Sequence, residues 1–215
     1  MVVKMKIITL AAQKGGSGKS SLATSLAVLA SKSGKTILID CDSQQSAFKW
    51  SLRRDEDAPL VVQEQPKNLE ANIKGLSGMD FEYVIIDSPG KNDTGTSLAI
   101  KTADLCIIPC RPVTDDFESN ITTFNVAHRL DVPTMWVPNM LLTQKSKRAT
   151  DLVRGMKSLG GIMGPVMVMR YDHVDASSLG LGVTEYNNDD KAAKETKALW
   201  KKIETTLEKL NNGKA

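Results

Sequence analysis

Near the start of the chain, Gln13-Lys14-Gly15-Gly16-Ser17-Gly18-Lys19-Ser20 has the residue types and spacing to hold a phosphate chain. The glycines let the backbone curl until its N–H groups converge on one point, and a helix starting near Lys19 adds its positive end. Lys19 can reach β- and γ-phosphates, and the Ser20 hydroxyl can ligate Mg²⁺. With Ser21 in the first helical turn, residues 15–21 form the expected nucleotide-binding set. The usual pattern places glycine where Gln13 stands, so the strict motif departs by one residue.

Two further segments carry carboxylates where short apolar runs end. In an open parallel sheet, ligands bind at the carboxyl ends of the strands. Asp40-Cys41-Asp42-Ser43-Gln44-Gln45 follows one such run, and Asp87-Ser88-Pro89-Gly90 follows another. Asp87 is expected to hold Mg²⁺ directly or through water, and Asp40 to sit in the Mg²⁺ shell or in a switch. Both Asp40 and Asp42 can also be read as caps of a following helix. Gly90 would let the backbone swing with the terminal phosphate. The guanine-reading Asn-Lys-x-Asp pattern is missing, which favours ATP. Thr143 and Gln144, at a strand end, are the expected neighbours of the base.

The elements that must position these groups alternate. Strands are read at 6–12, 36–40, 60–62, 82–87 and 105–109, within 133–143 with Pro138 as an interruption, and at 164–169. Helices are read at 20–32, 68–76, 97–103, 117–130, 148–159 and 189–211, with Gly34 where a helix-ending glycine belongs. The strands are continuous apolar runs, so both sheet faces are covered. The expected fold is α/β, a doubly wound, mostly parallel sheet in three layers, with residues 1–215 as one domain.

Composition agrees. The chain of 215 residues is 41% hydrophobic and 25% charged, which suits a soluble domain with a sizeable core and excludes disordered and disulfide-built classes. Three scattered cysteines (Cys41, Cys106, Cys110) point to a reducing, cytoplasmic setting. They form no Cys-x-x-Cys pair, and His128 and His173 make no metal constellation with them. No run approaches a membrane span, and the first ten residues read as a buried strand in place of a signal peptide.

Lys14, five residues before Lys19 and followed by two glycines, completes the deviant Walker A signature Lys-Gly-Gly-x-Gly-Lys-Ser/Thr. On this motif, on Asp40 to Gln44 against the pattern Asp-x-Asp-Pro-Gln, and on Asp87-Ser88-Pro89, the chain resembles the ParA/MinD family of P-loop ATPases. Trp50 after Asp40, Ala103-Asp104-Leu105 and Gly182-Val183-x-Glu185 extend the resemblance to the short ParA-type partition proteins. Ser43 stands where the family has proline, which touches loop rigidity. The resemblance implies an ATP-sandwich homodimer with Lys14 crossing to the partner's nucleotide, and Asp42 orienting the attacking water. It also implies slow turnover without a ParB-type adaptor and non-specific binding of double-stranded DNA over the nucleoid. The loop begins almost at the N-terminus, so the helix-turn-helix extension of longer ParA proteins is expected to be missing.

Net charge is only +3, but residues 191–215 hold seven Lys and three Glu. Lys145, Lys147 and Arg148 form a second basic cluster. By alignment with the family, Arg170 and Lys191 fall at DNA-contacting positions, and Lys194 lies one turn beyond Lys191. Each also reads as an ordinary solvated charge. A MinD-like membrane role would need the apolar face of the last helix (Leu199, Trp200, Ile203, Leu207, Leu210), which is better used on the sheet, so no stable membrane anchor is expected. An iron–sulfur carrier would need cysteines facing each other across a dimer, and Cys106 reads as core.

Overall fold

The computed structural model describes residues 4–90, 94–143 and 146–212. Its centre is a seven-stranded sheet in the order β3-β2-β4-β1-β5-β6-β7. The strands are β1 (Lys6–Leu10), β2 (Thr36–Asp40), β3 (Leu60–Gln63), β4 (Tyr83–Asp87), β5 (Leu105–Cys110), β6 (Thr134–Pro138) and β7 (Ile162–Met163), and every pairing is parallel. From β1 the chain goes to one side for β2 and β3, and later crosses to the other for β5, β6 and β7. The loop after β1 therefore opens onto a crevice at the carboxyl edge.

Alternation along each strand splits the core into two faces. Ile8, Leu10, Leu38, Ile85, Ile107 and Val137 pack under α1 (Lys19–Ser33) and α9 (Lys191–Asn212). Ile37, Ile39, Val84 and Ile86 face the other way with Leu69 and Ile73 of α3 (Leu69–Gly75) and Ala99 of α4 (Thr94–Lys101). Cys106, Ile108 and Trp136 continue that second face under α5 (Thr114–Arg129) and α6 (Lys147–Leu159). Each large side chain so buried is worth about 1.5–3 kcal/mol of transfer free energy. The apolar face of α9 lies on the sheet as expected: Leu199, Ile203 and Leu207 are at most 1% exposed, and Trp200 meets Tyr83 edge-on at 5.2 Å. Among the described residues no helix is long and apolar enough to cross a membrane.

The structure corrects the sequence reading at three places and bears out Gly34 as the glycine that ends α1. The segment after Asp42 holds a short helix, α2 (Ser46–Ser51). The stretch before α9 holds α7 (Asp172–Ser178) and α8 (Val183–Tyr186), which lack the long periodic pattern of a readable helix. The last strand is at Ile162–Met163 and not at 164–169, because Pro165 has no N–H to give; beyond it the run stays beside β6 through the Gly164 and Met167 N–H groups, which donate to the Trp136 and Pro138 carbonyls at 2.8 Å, and it forms the isolated bridge Leu141–Val168. Gly34 ends α1 in extended conformation, and its missing Cβ makes room for the Glu82 carboxylate.

Candidate nucleotide site

The register sets the site. Leu10 pairs with Asp87, and Asp40 pairs with Asp87 from the other side, so the loop entrance and both carboxylates lie level at the carboxyl edge. The backbone then turns through Gly16 (φ +75°) and Gly18 (φ +88°), a left-handed geometry that glycine adopts without strain. Helix α1 begins directly at Lys19, and its N-cap, Gly18, offers no side chain to the first-turn N–H groups. These donors and the helix dipole suit an oxyanion. Asn139, just past β6, donates its Nδ2 to the Ser17 carbonyl at 2.8 Å and fills the space a Gly18 side chain would need.

Lys19 is 6% exposed, and its Nζ lies 3.4 Å from the point a Cβ on Gly90 would occupy. Asp42 Oδ2 lies at the same 3.4 Å from that point and accepts the Gly90 N–H at 3.1 Å. The other Asp42 oxygen accepts the Gln44 N–H at 2.9 Å. Lys19, Asp42 and Gly90 thus meet at one place.

Asp40 is fully buried, and it is spent on structure: Oδ1 accepts the Asp42 N–H at 3.0 Å and Oδ2 the Phe48 N–H of α2 at 2.9 Å. Of its two readings, the helix-capping one describes what the carboxylate touches, with the consequence that Asp40 sets where Asp42 sits.

Asp87 differs. It is completely buried, and among the described residues neither oxygen makes a hydrogen bond of ordinary geometry. Burial pushes its carboxyl up to about 7; the nearby Ser20 hydroxyl and Lys19 ammonium pull it down, and the charges of Asp40 and Asp42 push it up again. An orphaned buried carboxylate beside a serine hydroxyl fits a divalent cation as ligand. Among the described residues no three His, Cys, Asp or Glu gather as in an all-protein metal centre. A cation at Ser20 and Asp87 would therefore complete its shell with phosphate oxygens and water, as Mg²⁺ does.

Beside the loop opens a cavity of about 440 Å³. Gly18, Ser21, Asn139, Met140, His173 and Tyr171 are among its walls. Thr143 lies elsewhere, in a neighbouring groove with Leu142, Arg170, Lys191 and Lys194, and Gln144 falls outside the described residues. From this strand end, Asn139 and Met140 line the loop cavity. The rule that found Asp87, a polar residue at a strand's carboxyl end, applies equally to Asn139.

Lys14 stays at the surface, 42% exposed and 3.5 Å from Asp115. The basic residues separate. Lys147, Arg148, Lys191 and Lys194 are exposed, and Lys145 lies outside the described residues. Arg170 is not a free cation: it grips Glu195 through two nitrogens at 2.7 and 3.3 Å, and Glu195 also accepts the Val168 N–H. The three cysteines are buried, and burial pushes each thiol to about 12, so they behave as small core residues. Gly182 and Glu185 serve packing: Glu185 accepts the Gly182 N–H at 2.7 Å and pairs with Arg54 at 2.9 Å.

Comparison with known proteins agrees with this geometry. A sequence profile described as the CobQ/CobB/MinD/ParA nucleotide binding domain matches residues 8–211. The chain is 25% identical over 211 residues to the maintenance of carboxysome distribution protein A of Gloeobacter kilaueensis, covering 95% of this chain and 94% of that one. Its fold matches the ATP complex of Cyanothece McdA with a TM-score of 0.79 at 21% identity, over 93% of this chain and 96% of the other. A putative plasmid partition protein of Borrelia burgdorferi bound to AMPPNP matches with a TM-score of 0.78 at 21% identity, over 96% of this chain and all of that one. With its phosphate loop, paired strand-end carboxylates and parallel sheet covered by this match almost end to end, the chain belongs to the CobQ/CobB/MinD/ParA nucleotide-binding family.

Proposed function

We propose that this protein is a positioning ATPase of the ParA kind, which dimerises around Mg·ATP, holds DNA without sequence preference, and is released when an adaptor protein stimulates hydrolysis. The observation that carries the reading is the meeting of Lys19, Asp42 and Gly90 above the buried, unpartnered Asp87. The loop N–H groups and Lys19 hold the β- and γ-phosphates, and the cavity beside Gly18 and Asn139 receives the base. Ser20 and Asp87 hold Mg²⁺, which would neutralise charge on the phosphates. Asp42 orients the attacking water, and Asp40 holds Asp42 in place.

The Asp42–Gly90 hydrogen bond joins the ends of β2 and β4 and gives a switch its parts. A terminal phosphate beside Lys19 would compete for the Gly90 N–H and rearrange that loop. Lys14, exposed on the loop's rim, reaches the nucleotide of a second copy. Lys191 and Lys194 stand exposed along α9 beside the groove at Thr143, where a phosphate backbone can run. Lys147 and Arg148 extend the basic surface, with Lys145 as a further contact. Arg170, tied to Glu195, braces this face and makes no direct DNA contact. The related carboxysome-distribution and plasmid-partition proteins favour a cargo-positioning role over a metabolic one. A membrane-bound, MinD-like mode is the alternative, since MinD proteins are also among the relatives; the apolar face of α9 is covered by the core and does not supply its membrane contact.

The test is binding to a random-sequence duplex with no nucleotide, with ADP, and with a slowly hydrolysed ATP analogue plus Mg²⁺. Binding only with the analogue, weakening steeply as salt rises, is the expected result. Binding in no state, with capture by anionic liposomes instead, would replace DNA with a membrane surface.

A further inference from the structure

Arg111 follows β5 at the carboxyl edge of the sheet and flanks the phosphate loop. Its guanidinium is clamped side-on: Nε donates to Asp116 Oδ2 at 2.6 Å and Nη2 to Oδ1 at 2.8 Å. Asp116, in the first turn of α5, is 1% exposed, and among the described residues this guanidinium is its carboxylate's only hydrogen-bond partner. A carboxylate that deep is costly unless paired, and a bidentate pair of this kind holds an arginine in one pose. The third nitrogen, Nη1, has no hydrogen-bond partner among the described residues. It lies 3.6 Å from the point a Cβ on Gly16 would occupy.

That location decides which phosphate the arginine can meet. In a phosphate-binding nest the backbone N–H groups converge on the concave side, so a Cβ direction marks the convex rim. Gly15 and Gly16 are exposed on that rim. Lys14 shares it, 3.5 Å from Asp115. Two consecutive acids at the start of α5 thus gather two cations outside the loop, Lys14 half-exposed and Arg111 rigidly braced. The loop backbone stands between Arg111 and the phosphates cradled by its own chain. An anion arriving from outside the loop meets Nη1 directly.

We propose that Arg111 is a catalytic residue supplied in trans: its Nη1 edge hydrogen-bonds the terminal phosphate of the nucleotide held by a second copy of this chain, beside Lys14, with Asp116 as its positioning residue. This rests on the ATP-sandwich reading above. As water attacks the γ-phosphorus and the bond to the ADP oxygen breaks, Arg111 keeps its protons and only stabilises the charge that develops on the transferred group.

The test is complementation between inactive variants. Arg111→Ala homodimers are expected to bind ATP nearly as wild type and to hydrolyse it about 10²-fold more slowly. The double variant Arg111→Ala, Asp116→Asn should behave alike, and it leaves no buried carboxylate unpaired if the single variant folds poorly. Each is then mixed in equal amounts with Asp42→Ala. In a mixed dimer, the site that keeps Asp42 receives Arg111 from the Asp42→Ala subunit. Random pairing makes roughly a quarter of all sites complete, and the rate should recover to about that fraction of wild type. A mixture that stays inactive, while Lys14→Ala mixed with Asp42→Ala regains activity, overturns the role of Arg111 and leaves the sandwich reading standing. Full activity of Arg111→Ala alone overturns it as well. Failure of the wild-type chain to dimerise with ATP and Mg²⁺ would remove the sandwich reading, and the trans role with it.

Discussion

Around the phosphate loop, the charged side chains of Asp40, Asp42 and Arg111 are held by hydrogen bonds from the protein itself, while the buried Asp87 carboxylate has no such partner among the described residues. Asp40 accepts N–H groups from Asp42 and Phe48, Asp42 accepts from Gly90, and Arg111 is clamped by Asp116. Along the outer face of α9, Lys191 and Lys194 stand exposed on a helix whose opposite face does the packing. A site whose groups are fixed before the ligand arrives spends little free energy on organising them and can tell one geometry from another. Long, solvated cations suit any row of phosphates and discriminate poorly. The two regions fit two anions, one specific and one generic.

That contrast makes the largest effect fall on Lys19. Lys19→Ala should weaken ATP binding on the order of 100-fold, the scale of a lost hydrogen bond between charged groups, as read by titration with a fluorescent ATP analogue. Affinity within about threefold of wild type would break the contrast at its root, since a fixed site must suffer when its buried cation is removed.

Asp42→Ala separates positioning from binding within the same site. ATP affinity should stay close to wild type, while single-turnover hydrolysis drops by about 10²–10³-fold. The Gly90 N–H loses its partner in this variant. Hydrolysis at the normal rate would show that Asp42 serves only the loop geometry, as Asp40 does.

The contrast also explains what was legible before the structure. The loop from Lys14 to Ser20, Asp42 and Asp87 were readable because each sits in a short local pattern at a strand's carboxyl end. Asn139 was not, because it joins the loop from 122 residues away through a hydrogen bond that no local pattern encodes. Arg111 and Asp116 were missed for the same reason, though Arg111 directly follows an apolar strand and the rule that picked Asp87 covers it. The doubly wound, parallel character of the sheet followed from alternating elements, whereas α2, α7 and α8 are too short to show a helical period. On the basic face, composition showed the lysines but could not show that Arg170 is bound to Glu195.

For the generic face the expected effects are smaller and graded. Lys191→Ala combined with Lys194→Ala should lower affinity for duplex DNA about tenfold at physiological salt and reduce the slope of log affinity against log salt by about 2. The loss should be equal for duplexes of unrelated sequence, and ATP binding should not move. An unchanged salt slope would place the DNA contact elsewhere, with Lys147 and Arg148 as the next pair to remove.

The smallest effect belongs to His173, which sits at the seam of the two regions. It lines the cavity beside the loop, and Arg170, Glu195 and Asp172 lie near it. Burial is the main reason its imidazole titrates below the ordinary histidine value, and the charge of Arg170 adds to it; Glu195 and Asp172 pull the other way. A histidine whose folded pKa is lowered is kept neutral by folding, while the unfolded chain takes up the proton near pH 6.5. Its contribution is therefore present above that pH and is lost as the pH falls through the folded value. Urea unfolding at pH 7.5 and 5.5 should show wild type losing more stability on acidification than His173→Phe, which cannot protonate. Equal losses in the two proteins would mean that the imidazole charges without cost in the fold. The seam would then be as open to water as the lysine face, and the boundary between the fixed and the generic region would have to be drawn closer to the loop.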